Sequence, residues 1–156
     1  MTSRKRKAET AIRNAFVTWA DIAVDGVQVI TGRSIEDLAP VNVRIHCPGQ
    51  NPLEGFDEIA TRVLVSGSIV VTQSFDEQDL TQIEALEAIA ETFIEMDTAT
   101  LLGLLNTEAS DIQFTDFQPD SAEDGINPDF RQFVSRYSFS TYVRDITPDP
   151  IPDPEE

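Results

Sequence analysis

The stretch "ATRVLVSGSIVVTQ", residues 60–73, is a long candidate strand in the middle of the sequence. Successive side chains of a strand point to opposite faces, so residues two apart share a face. The apolar residues on one face are Val63, Val65, Ile69 and Val71. Leu64 and Val70 fall on the other face, which is therefore expected to be partly covered too. Gly67 inside the run suggests a bulge or a bend.

Four further segments flank this strand and complete the predicted sheet. "VQVITG" (27–32) is a short strand candidate, and "VNVRIHC" (41–47) alternates apolar and polar residues cleanly. "PGQNPLEG" (48–55) is expected to break regular structure, because proline and glycine punctuate the chain. Residues 110–117 and 131–145 read as a final pair of strands.

Helical spacing predicts the remaining elements. Residues 7 to about 22 form an amphipathic helix through Ala8, Ile12, Ala15, Phe16, Trp19 and Ala23. A second helix follows the long strand, capped by Asp76 or Asp79, with Leu80, Ile83, Leu86, Ala90 and Phe93 as its buried stripe. Residues 98–106 form a short helix or a continuation of the second one after a kink. The expected core residues are Phe16, Trp19, Val65, Ile69, Leu86, Phe93 and Phe139.

These elements predict an α+β fold, in which a mainly antiparallel sheet packs against two or three helices in one domain. We expect that domain to span residues 7–146, between a flexible basic tail (1–6) and a proline-rich acidic tail (147–156). The basic residues at the start would oppose the helix dipole and should precede the helix or fray. They are Arg4, Lys5, Arg6 and Lys7.

The charge balance limits the possible partners. The 156 residues include 28 Asp and Glu against 11 Lys and Arg, a formal net charge of −17. Proteins bind free nucleic acid mainly by neutralising phosphates with cations, so DNA binding by affinity is not expected. An anionic membrane surface is disfavoured for the same reason. With neither a signal peptide nor a membrane span in the sequence, a soluble cytoplasmic protein is the expectation.

Catalytic and metal-binding patterns are nearly absent. His46 is the only histidine, and its neighbour Cys47 is the only cysteine. Neighbours on a strand point to opposite faces, so the two do not form a catalytic pair. His46 is expected to be structural or on the surface, and Cys47 to be a small core residue. No zinc, calcium, phosphate or dinucleotide motif is present. We therefore expect no enzymatic activity and no cofactor.

Two acidic features stand out from the background. Glu84, Glu87, Glu91 and Glu95 lie three, four and four residues apart, which places four carboxylates on one helical face without a nearby cation. The linker "QPDSAEDGINPDF" (118–130) reads as a long hairpin loop, and loops of that length are often functional. We expect it to dock onto a partner, with the candidate residues Asp120, Glu123, Asp124 and Asn127.

The order of elements resembles the tail terminator (tail completion) proteins of long-tailed bacteriophages. The resemblance covers residues 7–146 and includes "VSGSIVV" running into the acidic helix and the closing strand "FVSRYSFSTYVRDI". It implies a homo-hexameric ring that caps the tail tube protein, stops tube growth and joins a head-completion or neck protein. DNA would pass through the ring without specific binding. The location would be the neck of the virion, after assembly in the host bacterial cytoplasm.

The resemblance leaves three readings open for the glutamate face. In the first reading the face is exposed to solvent. In the second it lines the ring's channel and repels DNA. In the third it pairs with basic residues of a neighbouring subunit, namely Arg4, Lys5, Arg6 and Lys7. Two other functions also stay open. One is a different ring component of the neck or tail, such as a head–tail stopper or a tube-like protein. The other is a small acidic adaptor or inhibitor that binds a basic protein and stays monomeric.

Overall fold

Five strands form one sheet in the order β1-β2-β3-β5-β4. The computed structural model describes residues 3–20, 27–32, 41–52, 62–75, 81–129 and 131–146. The strands are β1 (Val27–Thr31), β2 (Val41–Pro52), β3 (Arg62–Ser74), β4 (Ile112–Asn127) and β5 (Gln132–Asp145). The helices are α1 (Arg4–Ala20), α2 (Thr81–Glu95) and α3 (Thr98–Glu108). β1 runs parallel to β2, and every other pair is antiparallel. The predicted α+β class is confirmed.

The three helices pack on one face of the sheet and build a single core with it. Val63, Val65, Ile69 and Val71 of β3 are all buried in that core, as their alternation predicts. Phe93 of α2 meets Phe16 edge-on, with ring centroids 5.2 Å apart, and Trp19 at 5.5 Å. Six of the seven expected core residues are buried, whereas Trp19 is only partly buried at the rim.

Helix α2 presents its predicted stripe to the core. Ile83, Leu86, Ala90 and Phe93 are buried, and Ile94 joins them. Asp97 caps the next helix by accepting a hydrogen bond from the backbone N–H of Thr100. The predicted caps Asp76 and Asp79, together with Leu80 and Ala23, lie outside the described residues, as does 147–156. No helix among the described residues is long and apolar enough to cross a membrane.

The first helix begins earlier than its charge pattern predicts. α1 starts at Arg4, so the expectation that the basic residues precede the helix is wrong for Arg4, Lys5 and Arg6. The carbonyl of Ser3 accepts the backbone N–H groups of Arg6 and Lys7 and closes the first turn. Ion pairs within the chain offset the unfavourable dipole there, as the salt bridge from Arg4 to Asp145 illustrates.

Strand β2 continues through the segment that was expected to break it. It reaches Pro52, and Gly49 to Pro52 pair with Ser66 to Val63 of β3. The register shifts between His46 and Gly49, so the proline at position 48 falls at an irregularity of the ladder. Proline is tolerated at such a bulge because no ladder hydrogen bond is needed from it.

Gly67 is required by close packing rather than by a bulge in its own strand. β3 pairs with β5 without a register shift from Arg62 to Ser74. A Cβ at position 67 would lie 2.8 Å from Cys47 Sγ and 2.8 Å from the ring of Phe139. The irregularity expected at this glycine is instead in the facing strand β2, which narrows the space beside Gly67.

The prediction of an acidic loop over residues 118–130 is wrong, because most of that segment is strand. β4 extends to Asn127 and pairs with β5 down to Gln132. The reversal is short, with Arg131 at φ 52° and its N–H bonded to the carbonyl of Pro128. Two register shifts, at Phe114/Asp116 and Pro119/Ser121, interrupt the ladder. Residues 118–126 are exposed on both faces, so they carry no alternation that a sequence pattern could reveal.

Candidate functional site

The glutamate face of α2 turns toward the second half of the edge strand β4. Glu84, Glu91 and Glu95 are exposed, and Glu87 is half-buried. Glu87 Oε1 accepts a hydrogen bond of 3.0 Å from Ser135 Oγ on β5. This bond fixes one of the four carboxylates over the sheet, whereas the other three are exposed.

An acidic groove of about 240 Å³ lies between α2 and the strands β4 and β5. Its lining residues are Glu87, Glu91, Ala122, Glu123, Asp124, Ser135 and Tyr137. Two sets of residues that the sequence treated separately therefore meet here. Glu87 and Glu91 come from the predicted stripe, and Glu123 and Asp124 from the predicted docking segment.

Tyr137 forms the inner wall of the acidic groove. It is 6% exposed, and no described residue makes a hydrogen bond to its hydroxyl. Burial first, and then the carboxylates of Glu87, Glu91, Asp124 and Glu95, raise the pKa of Tyr137 to about 12. A negative field with an available hydroxyl suits a cationic group better than any other ligand.

The other two predicted docking residues, Asp120 and Asn127, do not line the acidic groove. Asp120 Oδ2 accepts a 2.7 Å hydrogen bond from Ser140 Oγ, beside a register shift of β4. Asn127 pairs with Gln132 where the hairpin ends. It lines a second depression, of about 370 Å³, together with Glu123, Ile126 and Arg136. The docking role of this segment stays a prediction, now for an edge strand instead of a loop.

The four basic residues at the start of α1 have partners inside the chain. Arg4 Nη2 lies 2.6 Å from Asp145 Oδ2, and Lys7 Nζ lies 3.9 Å from Asp111 Oδ2. The remaining two are held as well: Arg6 Nη1 lies 2.8 Å from Glu9 Oε2, and Lys5 Nζ donates to the carbonyl of Pro48. Their predicted role between subunits is not tested by these contacts, but it would have to compete with them.

Two arginines that the sequence analysis did not select stand side by side on the sheet. Arg62 of β3 and Arg144 of β5 are exposed and directly opposite in the register. Arg62 Nη2 donates to Thr115 Oγ1, and Arg144 Nε donates to Gln113 Oε1. We call Arg62 and Arg144 the arginine pair. Only the register shows it, because 82 positions separate the two residues in the sequence.

A buried carboxylate near the only histidine and cysteine is structural. Glu9 is 2% exposed and accepts hydrogen bonds from the backbone N–H groups of Gly32 and Cys47 and from Arg6. Burial raises the pKa of the Cys47 thiol far above its usual range and lowers the pKa of His46. These residues tie α1 to β1 and β2. Among the described residues no group of His, Cys, Asp or Glu is placed to hold a metal ion.

Comparison with known proteins identifies the fold. No family model and no curated protein matches the sequence. Among solved structures, a chain of the virion of a native gene transfer agent (GTA) particle shares the architecture, with a TM-score of 0.53 and 12% sequence identity. The match covers 91% of this chain and 95% of that chain. At this identity the likeness is one of fold.

Proposed function

We propose that this chain is a structural protein of a virion, and specifically the ring that closes the tail tube and joins it to the head. The observation that carries the proposal is the similarity in fold to a chain of a GTA virion, which extends over nearly the whole of both chains. The resemblance to tail terminator proteins, noted from the order of elements, supports the finer assignment.

An open sheet suits a ring-forming subunit. β1 and β4 are the two edges of the described sheet, and each leaves backbone groups that no described strand pairs. The register shifts of β4 and its acidic side chains discourage indiscriminate pairing with foreign strands. A specific, charge-directed contact between copies of the chain is the remaining way for that region to assemble.

The proposed ring lets duplex DNA pass without gripping it. A net charge of −17 repels phosphates at every surface that is not locally basic. The tail tube protein and a head-completion or neck protein are the proposed neighbours above and below the ring. Because the similar chain comes from a whole virion particle, another ring component of the neck or tail is the second candidate function.

The proposal includes no enzymatic step. Cys47 is fully buried, and His46 packs so closely against Gly32 that an added Cβ there would clash with the imidazole. His46→Ala should therefore leave assembly and attachment unchanged. A variant that folds and assembles but fails in virion maturation would contradict this part of the proposal.

The decisive experiment measures assembly with and without tail tubes. The purified chain is analysed by native mass spectrometry, then mixed with isolated tail tubes and viewed by negative-stain electron microscopy. A closed ring, most simply a hexamer, at one end of each tube is the expected result. Rings stacked along the tube would favour the second candidate. A strict monomer that ignores tubes would contradict both and favour an acidic adaptor.

A further inference from the structure

The arginine pair lies on the sheet face that carries no described helix, and it has no ionic partner among the described residues. Like charges directly opposite each other on neighbouring strands destabilise a sheet. The contacts of Arg62 and Arg144 within the chain are to neutral groups, Thr115 and Gln113. Asp145 follows Arg144 in sequence but points to the other face, where Arg4 binds it. No carboxylate of the described residues forms a salt bridge with the pair.

The acidic groove has the opposite charge to the arginine pair and lacks a cationic partner among the described residues. Its carboxylates come from α2 and from the exposed half of β4, and no lysine or arginine of the described residues lines it. None of the described residues makes a hydrogen bond to the hydroxyl of Tyr137, and this residue is 6% exposed. An arginine guanidinium would satisfy both, because its N–H groups can donate to carboxylates and to the phenolic oxygen together.

One copy of the chain cannot bring the two features together. Tyr137 and Arg144 are seven residues apart on β5, which is about 23 Å along a strand. An odd separation along a strand also places them on opposite faces. The cation and the groove therefore have to meet between two molecules.

We propose that the arginine pair of one copy binds the acidic groove of a second copy. The spacing of the two arginines agrees with that of the two glutamates. Opposite cross-strand residues such as Arg62 and Arg144 have Cβ atoms roughly 4.5–5.5 Å apart. Residues four apart on a helix, such as Glu87 and Glu91, have Cβ atoms about 5–6 Å apart. Asp124 faces the same cation from the strand side of the groove. This inference rests on the proposed function, since it supplies the contact that a ring needs.

The contact joins two different surfaces, so it is head-to-tail. Such contacts close into rings when the rotation between copies permits, and otherwise grow into filaments. Of the three readings of the glutamate face, the contact assigns Glu87 and Glu91 to a subunit interface. The cations that meet them are Arg62 and Arg144 rather than the basic residues of α1.

Two matched double variants separate this contact from general charge effects. Arg62→Gln with Arg144→Gln removes two positive charges, and Lys5→Gln with Lys7→Gln removes two from α1 at the same end of the sheet. The first should lower the assembled fraction in native mass spectrometry at least tenfold, and the second should change it less than twofold. Equal losses would contradict the proposal, because net charge alone would then explain them.

A charge exchange supplies the positive test. Arg62→Glu with Arg144→Glu, and Glu91→Arg with Asp124→Arg, should each abolish assembly. A chain that carries all four changes keeps the net charge of −17 and should assemble again, because each interface regains opposite charges. Circular dichroism and thermal unfolding establish that each variant is folded.

The outcomes distinguish this contact from the proposed function. If wild-type rings cap tubes but neither exchange changes assembly, the virion role stands and the contact is wrong. If Glu91→Arg with Asp124→Arg loses only tube attachment while rings persist, the groove binds the tail tube and the contact is again wrong. A wild-type chain that is monomeric with and without tubes contradicts both.

Discussion

The two halves of strand β4 have the same partner strand and opposite environments. Ile112, Phe114 and Phe117 of the first half are buried, with α3 nearby. Asn106 of α3 binds both the N–H and the carbonyl of Phe114, which fixes this half to the helix layer. Residues 118–126 of the second half are exposed, yet they also pair with β5. One register shift, between Pro119 and Ser121, interrupts this pairing.

This difference shows that strand pairing and burial are separate properties. The second half of β4 is a strand because β5 supplies hydrogen bonds to its backbone, and no helix covers it. Its side chains are then free to carry charge. The buried half stabilises the fold, whereas the exposed half and the adjacent α2 form the surface that we propose for assembly.

Phe114→Ala should give the largest loss of stability and so mark the buried half. Phe114 is 1% exposed within the core, and removing such a ring costs about 3–5 kcal/mol. Urea unfolding followed by circular dichroism measures the change. A loss below about 1 kcal/mol, on the order of a surface substitution, would show that the first half is not anchored in the core.

Gly67→Ala should destabilise the covered part of the sheet by a smaller amount. The new methyl group would press on Cys47 and Phe139, and overpacking of this kind costs about 1–3 kcal/mol. Gly125→Ala, in the exposed half of β4, is the control, since no described atom beyond its two chain neighbours lies within 4 Å of a Cβ there. Equal effects at both glycines would remove the contrast between the two regions.

Alkaline pH should probe the exposed half of β4 through Tyr137, which pairs with Ala122 in that half. The folded state keeps the phenolic proton up to a pKa of about 12, whereas the unfolded chain loses it near 10. Between those values the unfolded state binds fewer protons, so the contribution of Tyr137 to stability falls as the pH rises. Tyr137→Phe should show a flatter decline in the unfolding free energy over this range. Parallel curves for the two proteins would contradict the raised pKa.

Ile126→Ala should have the smallest effect on folding. Ile126 is 62% exposed at the end of the second half, and surface substitutions usually change stability by less than about 0.5 kcal/mol. The unfolding free energy of the monomer should match that of the wild type within that margin. A loss near that of Phe114→Ala would mean that the exposed half is covered in the free protein.

Much of the fold could be predicted because burial leaves a pattern in the sequence. The alternation of Val63, Val65, Ile69 and Val71 and the helical spacing of Leu86, Ala90 and Phe93 each gave the correct element and the correct buried face. The errors of the sequence-based prediction fall where that pattern is absent. β2 beyond Cys47 and β4 beyond Phe117 are strands held by their partners, and α1 starts among residues whose charges are balanced by distant acids.

Local periodicity in the sequence predicts most of the elements and the core, and the composition gives the excess of acid. Which charges meet depends on how the chain folds. The glutamates of α2 and the acids of β4 line one groove, Arg4 and Arg6 bind acids of their own chain, and Arg62 stands beside Arg144. The physical reason is that burial depends on the periodicity of neighbouring residues, whereas electrostatic pairing depends on the register between strands far apart in the chain.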